Sequence, residues 1–222
     1  MGKRRYHHGE LRGALLDAAE ALVRERGADG WSLREASARV GVSPSAAYHH
    51  FSSRDALVHA LSERVLTRLG ERMAAATAAA GRGSDPLRRL VALGCGYVRW
   101  AVEDPAVARL AFGAGATGPA PAITPHPHDV LDAELDRLVE AGALPAPSRA
   151  GAEFVVWAAL HGLAVLLIDG LVHLDGPQAV DQEADRVVRA VLNGLAQEPP
   201  PPRERPAPRS AHTERRAGRS AT

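Results

Sequence analysis

Residues 31–55 read Trp-Ser-Leu-Arg-Glu-Ala-Ser-Ala-Arg-Val-Gly-Val-Ser-Pro-Ser-Ala-Ala-Tyr-His-His-Phe-Ser-Ser-Arg-Asp, and no other stretch restricts the fold as much. Ser32 stands where an N-cap belongs, able to accept a free backbone N–H, and Glu35 three positions on completes a capping box. The helix so opened runs from Leu33 to Val40. It stops at Gly41, because glycine takes the left-handed conformation at little cost. Val42 turns back to the interior, Ser43 caps a second helix, and Pro44 fills its first position, where a missing N–H is no loss. Two short helices joined by a glycine turn make a helix-turn-helix, whose second helix has the diameter to enter a major groove of DNA.

From Pro44 each residue advances by about 100° around the helix. Pro44, Ser45, Tyr48 and His49 fall on one face, and Ala47, His50 and Phe51 on the opposite one, which packs against the first helix. The outward face offers a hydroxyl, a phenol and an imidazole, groups that contact phosphates, thymine methyls or base edges. Ser53 and Arg54-Asp55 open a further helix, with Arg54 at its positive N-terminus, a place suited to a phosphate.

The segment from about Leu11 to Leu61 resembles the DNA-binding domain of TetR-like transcriptional regulators. The resemblance rests on Gly27, Ser32-Leu33-Arg34, Gly41-Val42-Ser43, Tyr48, His50-Phe51 and Arg54-Asp55-Ala56-Leu57. It implies a dimeric regulator in which the positions of Tyr48 and His49 touch DNA. The candidate DNA-contact set is Ser32, Arg34, Ser43, Pro44, Ser45, Tyr48, His49 and Arg54. Three residues depart from the family pattern: Arg54 stands where lysine is usual, Ala36 replaces a larger aliphatic residue, and Ala47 replaces the usual leucine or isoleucine.

The net charge of +1 is silent about nucleic acid, but its distribution is not. Residues 1–72 carry 12 Lys and Arg against 9 Asp and Glu, residues 73–196 carry 9 against 14, and residues 197–222 carry 6 against 3. A basic first block on an acidic middle fits a DNA-reading head on a body that stays off DNA. The single cysteine, Cys95, excludes an internal disulfide and fits a reducing cytoplasm. No apolar run follows the basic start, so no signal peptide is expected. The uncharged run from Phe154 to Ile168 is shorter than the roughly 20 residues of a membrane span, which makes it a buried helix.

Apolar periodicity and capping signals predict an all-α chain: a three-helix helix-turn-helix head plus a helical dimerisation and ligand-binding body. Helices are expected over 9–26, 33–40, from 44 onward, 54–80, 86–102, 105–113, 128–141, 149–168 and 178–196. The Gly-, Ala- and Pro-rich stretch 115–127 must be a loop. The division expected is a basic arm at 1–8, a head at 9–53, a body at 54–197 and a disordered Pro/Arg-rich tail at 198–222.

The 154–168 helix is apolar around most of its circumference, so it needs cover on nearly every side. Val187, Val188, Val191, Leu192 and Leu195 give the last helix a second apolar stripe. Two such helices from each of two chains would form a four-helix bundle across a two-fold axis. The resemblance implies the same homodimer, and Trp157 with His161-Gly162 looks like a recognised subgroup of the family's C-terminal domain. Tyr97, Trp100, Phe112, Phe154, Trp157 and His161 are the large residues available to line a cavity for a small-molecule effector, although aromatic residues at helical spacing also serve as plain core.

Other chemistry is thinly represented. His126 and His128, with Asp129 and Asp132, have the residue types of a metal site, as in a metal-dependent hydrolase or sensor, but lack a further ligand at fitting spacing. No paired nucleophile and base stands out, so no enzyme, cofactor or membrane partner is expected. Lys3, Arg4, Arg5 and His7-His8 form a basic arm beside the head. A helical protein-interaction adaptor is the remaining alternative, distinguished from a DNA binder by its indifference to salt.

Overall fold

The computed structural model describes residues 8–81, 83, 85–113 and 123–197. Residues 1–7 of the basic arm, most of the 115–127 loop and the Pro/Arg-rich tail lie outside these residues, and His8 opens the first helix. Every regular element described is helical: α1 His8–Arg26, α2 Leu33–Val40, α3 Pro44–Tyr48, α4 Arg54–Ala79, α5 Pro86–Glu103, α6 Pro105–Phe112, α7 Pro127–Glu140, a 3₁₀ turn Ala146–Ser148, α8 Ala152–Ile168 and α9 Gly176–Gln197.

The caps read from the sequence form. The Glu35 N–H donates to Ser32 Oγ at 3.3 Å, and the Ser32 N–H donates to Glu35 Oε2 at 2.9 Å, so two end-of-helix donors are satisfied reciprocally. Gly41 ends α2 at φ +80°, and the Val42 N–H reaches back to the Ser37 carbonyl. Asp85 and Asp104 each cap a helix whose first residue is proline.

The second helix of the motif, given no end from the sequence, closes at Tyr48 with His49 as its C-cap. Two helix starts differ from expectation. Helix α8 starts at Ala152, because Gly151 takes φ +78° and breaks the helical path from Arg149. The Arg149 guanidinium instead gathers Asp132 and Asp136 of α7 and Glu153 of α8. Helix α9 opens at Gly176, two residues before the expected start.

The apolar residues sort into two clusters. The first surrounds the helix-turn-helix: Leu15, Leu22, Trp31, Leu33, Ala36, Ala47 and Phe51 pack with Leu57, Leu61 and Val65 of α4 and with Val107, Leu110 and Ala111 of α6. Burying each large aliphatic side chain contributes about 1.5–3 kcal/mol. Ala36 and Ala47 are fully buried, so the two small residues let α2 and α3 approach. The second cluster holds Leu69 and Met73 of α4 with α5, α7, α8 and α9. No break in packing falls at residues 53–54, since the first half of α4 lies in the head's core and the second half in the body's.

Charged side chains join these layers. Glu20, nearly buried on α1, meets Arg24 of its own helix and Arg64 and Arg68 of α4. Burial pushes its carboxyl up, but Arg68, Arg24 and Arg64 together hold it below the usual carboxylate range. Arg24 also reaches Asp104, the cap of α6, at 2.7 Å. In the body, Glu134 of α7 is buried and accepts two hydrogen bonds from Arg89 of α5, at 2.8 and 2.7 Å. At Gly70 of α4 any Cβ would strike the Pro125 carbonyl, so glycine is what lets the segment before α7 lie against this helix.

Candidate functional site

On α3, Pro44, Ser45, Tyr48 and His49 are all exposed, while Ala47 and Phe51 are buried and His50 half-buried. Tyr48 shows 49% of its surface, a large fraction for an aromatic residue. A phenol turned outward has no folding benefit to explain it, since an aromatic ring stabilises by being covered. Ser43 and Ser32 are occupied as caps: Ser43 Oγ accepts from the Ala46 N–H at 3.2 Å, and Ser32 Oγ bonds Glu35. Their placing therefore explains how the two helices are held as well as any contact they make.

Most head cations already have partners. Arg26 pairs with Glu35 at 2.6 Å, Arg39 with Glu25 at 2.8 Å, and Arg64 with Asp17 and Glu20. Arg34 is exposed, and its guanidinium has no ion pair or hydrogen bond to any described residue. Arg12 of α1 is exposed and, among the described residues, engages the Phe51 ring, its Cζ 5.1 Å from the centroid. Sequence reasoning did not single out Arg12. The signal available was a basic residue in the second turn of α1, close to the end of a helix that favours anions.

Arg54 departs from its expected role. Its Nε donates to the Trp31 carbonyl at 3.1 Å, and a terminal nitrogen donates to the Ala28 carbonyl. The guanidinium lies over the Trp31 ring, 4.8 Å from the centroid, and the side chain is 26% exposed. The donors meant for a phosphate instead hold the loop between α1 and α2 against the start of α4. A helix N-terminus attracts anions, but here backbone carbonyls of the preceding loop reach the guanidinium first.

In the body, five of the six expected cavity residues come together. Tyr97 and Trp100 of α5, Phe112 of α6, and Trp157 and His161 of α8 form a continuous ring group, with centroid separations from 5.0 to 6.3 Å. Tyr97 is buried and the other four are half-buried. His128 extends the group, 4.7 Å from Trp157, and His126 stacks on His128 at 5.3 Å. His126 is also the N-cap of α7, its Nδ1 accepting from the His128 N–H at 3.2 Å. Among the described residues no three His, Cys, Asp or Glu side chains gather as metal ligands, and these two histidines belong to the ring wall. Phe154 does not join. It is 73% exposed and lies one turn nearer the start of α8 than Trp157.

The polar centre of the group is the Tyr97 hydroxyl, 2.8 Å from His161 Nδ1. Burial pushes the phenol up and the imidazole down, so both are neutral near pH 7. The phenol is buried and has no other acceptor among the described residues, so its O–H donates to Nδ1. A buried donor left without a partner costs about 1–3 kcal/mol, which disfavours the reverse arrangement. The His161 proton then sits on Nε2, a donor with no partner among the described residues. Cys95 has a different role: packed on the body's core, its Sγ lies 3.5 Å from the Asp181 carbonyl, and burial raises the thiol to about 11. Such a thiol holds its proton and is unreactive.

The comparisons agree in both halves of the chain. The family model described as bacterial regulatory proteins, tetR family, matches residues 15–61. The model described as tetracyclin repressor-like, C-terminal domain, matches residues 90–191. An HTH-type transcriptional regulator BetI from Brucella anthropi is 33% identical over 79 residues, which are 36% of this chain and 39% of that protein. The match thus spans about two fifths of that relative's length. A structure from Rhodococcus sp. RHA1, of a protein with unknown function, is 29% identical, with a TM-score of 0.69 over 88% of this chain and all of that one. RolR in complex with resorcinol shares the fold at 18% identity and a TM-score of 0.59, over 87% of this chain and 96% of that one.

Proposed function

Since the chain belongs to the tetR family of bacterial regulatory proteins, whose members bind DNA to regulate transcription, we propose that it acts as a homodimeric repressor released from a palindromic operator by a small-molecule effector. The observation that carries this reading is the outward face of α3, where Ser45, Tyr48 and His49 stand exposed on a capped and packed helix-turn-helix. In the proposal this face reads base edges, and Arg34 and Arg12 meet phosphates on either side of it. The protein works by binding and not by catalysis.

Dimerisation is proposed through α8 and α9. Phe154, Val155 and Leu166 of α8 are exposed, as is Leu171 just beyond it, and exposed Ala158 and half-buried Gly162 lie between them. On α9, Ala190 and Gly194 are exposed beside half-buried Val187 and Val191. An apolar stripe with small residues at its centre supports close packing of a second copy across a two-fold axis. Two copies place two recognition helices, and half-sites one helical turn apart, about 34–36 Å, use both. Phe154 then takes a place at the dimer face instead of in the effector cavity. The effector is assigned to the Tyr97, Trp100, Phe112, Trp157 and His161 group.

Selection of bound fragments from random duplexes tests the proposal. The expected result is enrichment of a palindrome with two equal half-sites, bound by a dimer, with affinity falling steeply as salt rises. Recovery of no common sequence, or binding indifferent to salt, would overturn it. No helix among the described residues is long and apolar enough to cross a membrane.

A further inference from the structure

The ring group carries more information than the existence of a ligand site. Its walls are aromatic faces and edges from three helices: Trp100 and Tyr97 of α5, Phe112 of α6 and Trp157 of α8. Charged side chains near these positions in sequence are already paired: Arg99 with Asp181, Arg109 with Asp169, and Glu153 with Arg149. Asp129 is exposed beside His126, at the edge of the ring group. The polar groups of the walls that lack a partner among the described residues are all N–H donors, the indole N–H groups of Trp100 and Trp157 and the His161 Nε2–H of the tautomer set by Tyr97. The Tyr97 hydroxyl fixes that tautomer by occupying Nδ1 at 2.8 Å.

We infer that the effector is a neutral, planar aromatic compound carrying an uncharged oxygen acceptor, stacked among Trp157, Phe112 and Trp100 with its oxygen on the His161 Nε2–H. This rests on the reading of the chain as an effector-released regulator and names the class of effector. Aromatic walls reward a flat π-system through offset and edge contacts. An N–H donor that a ligand covers selects for an acceptor, because a ligand without one shuts the donor off from water unpaired. An anion would lose its hydration in a site with no unpaired guanidinium or ammonium among the described residues. An organic cation would be attracted by the ring faces, but without an oxygen it leaves the His161 Nε2–H unpaired. Tyr97 is a positioning residue: it acts on the ligand through the proton it places on His161.

The test uses the full-length protein without DNA and three two-ring probes that differ in charge: coumarin, 2-naphthoate and N-methylquinolinium. Isothermal titration calorimetry should show saturable binding of coumarin, at one site per protomer, tighter than either charged probe. His161→Phe keeps the ring and removes the donor, and should weaken coumarin by about tenfold or more. His161→Gln restores a side-chain N–H and should recover most of that loss. Tyr97→Phe frees the tautomer and should weaken coumarin by a smaller factor, with helicity by circular dichroism confirming that each variant is folded. Tighter binding of either charged probe, no binding of coumarin, or equal binding by His161→Phe would overturn the inference. Duplex binding measured on the same samples separates the two claims. If coumarin fails while duplex is still bound, the effector class falls and the regulator stands; if duplex fails while coumarin is bound, the reverse holds.

Discussion

The guanidinium of Arg54 lies over the ring of Trp31, its Cζ 4.8 Å from the centroid, while its Nε holds that residue's own carbonyl at 3.1 Å. One side chain at the start of α4 thus fixes both ends of a residue that opens α2. The helix-turn-helix is oriented on the long helix by this contact and by the buried faces of Leu33, Ala47 and Phe51.

Replacing Arg54 by alanine should destabilise the head by about 1–3 kcal/mol, from the lost ring contact and from carbonyls left without donors. Lysine should not restore it, since an ammonium lacks the planar fork. Urea unfolding followed by circular dichroism measures the loss. A variant that melts normally yet binds every duplex more weakly would return Arg54 to phosphate contact.

Tyr48→Ala and His49→Ala should each weaken binding to the selected duplex by about 1–3 kcal/mol, or 10- to 100-fold, if each contacts a base edge. Both side chains are exposed, so helicity and sedimentation should be unchanged. Gel-shift titration at fixed salt checks the outcome.

Arg34→Ala and Arg12→Ala should lower affinity for all sequences alike. The slope of log affinity against log salt should fall by about 1 for each, the signature of a lost phosphate contact. A changed base preference would assign them to the groove floor instead.

Glu134→Ala leaves Arg89, itself 14% exposed, without its carboxylate, and should cost about 3–5 kcal/mol of stability. Removing both charges together, as Glu134→Leu with Arg89→Met, should cost less than the single change. Guanidinium titration of the three proteins measures the difference.

Stability should also fall in mild acid. Burial holds the His161 imidazole below its ordinary value, and burial together with His128 does the same for His126. The unfolded chain then binds protons that the folded chain refuses, so the contribution of each group is complete above the ordinary imidazole range. It is lost as pH falls through the lowered folded value. Melting temperatures taken from neutral pH to about pH 5 should decline, and His161→Phe should flatten the decline.

The local code was the most readable part of the chain. Ser32, Glu35, Gly41, Ser43 and Pro44 act within a few residues of themselves, so their caps and turn follow from spacing alone. The outward set on α3 follows from the helical period. The contacts of Arg54 within the fold were not legible, because Ala28 and Trp31 are 26 and 23 residues away and their carbonyls reach the guanidinium only once the loop has folded back. Phe154 shares a composition with the ring group but not its depth along α8, which depends on where α5 and α6 end. His126 and His128 carry ligand chemistry in the sequence, yet packing against Trp157 uses them as aromatic surface. The paired state of Arg26, Arg39 and Arg64, beside Arg34 and Arg12 that have no carboxylate partner among the described residues, is likewise a product of tertiary contact.

Helix α6 gives Val107, Leu110 and Ala111 to one apolar cluster and Ala108 to the other, with Arg24 gripping its cap and Arg109 holding the end of α8. Phe112, the last residue of this eight-residue segment, packs against both clusters and sits in the ring group. A reader excised at residue 61 would therefore carry a hole where those three side chains belong. Any chimera that grafts this reader onto a foreign body must bring the short helix along, or supply a replacement plug of the same shape.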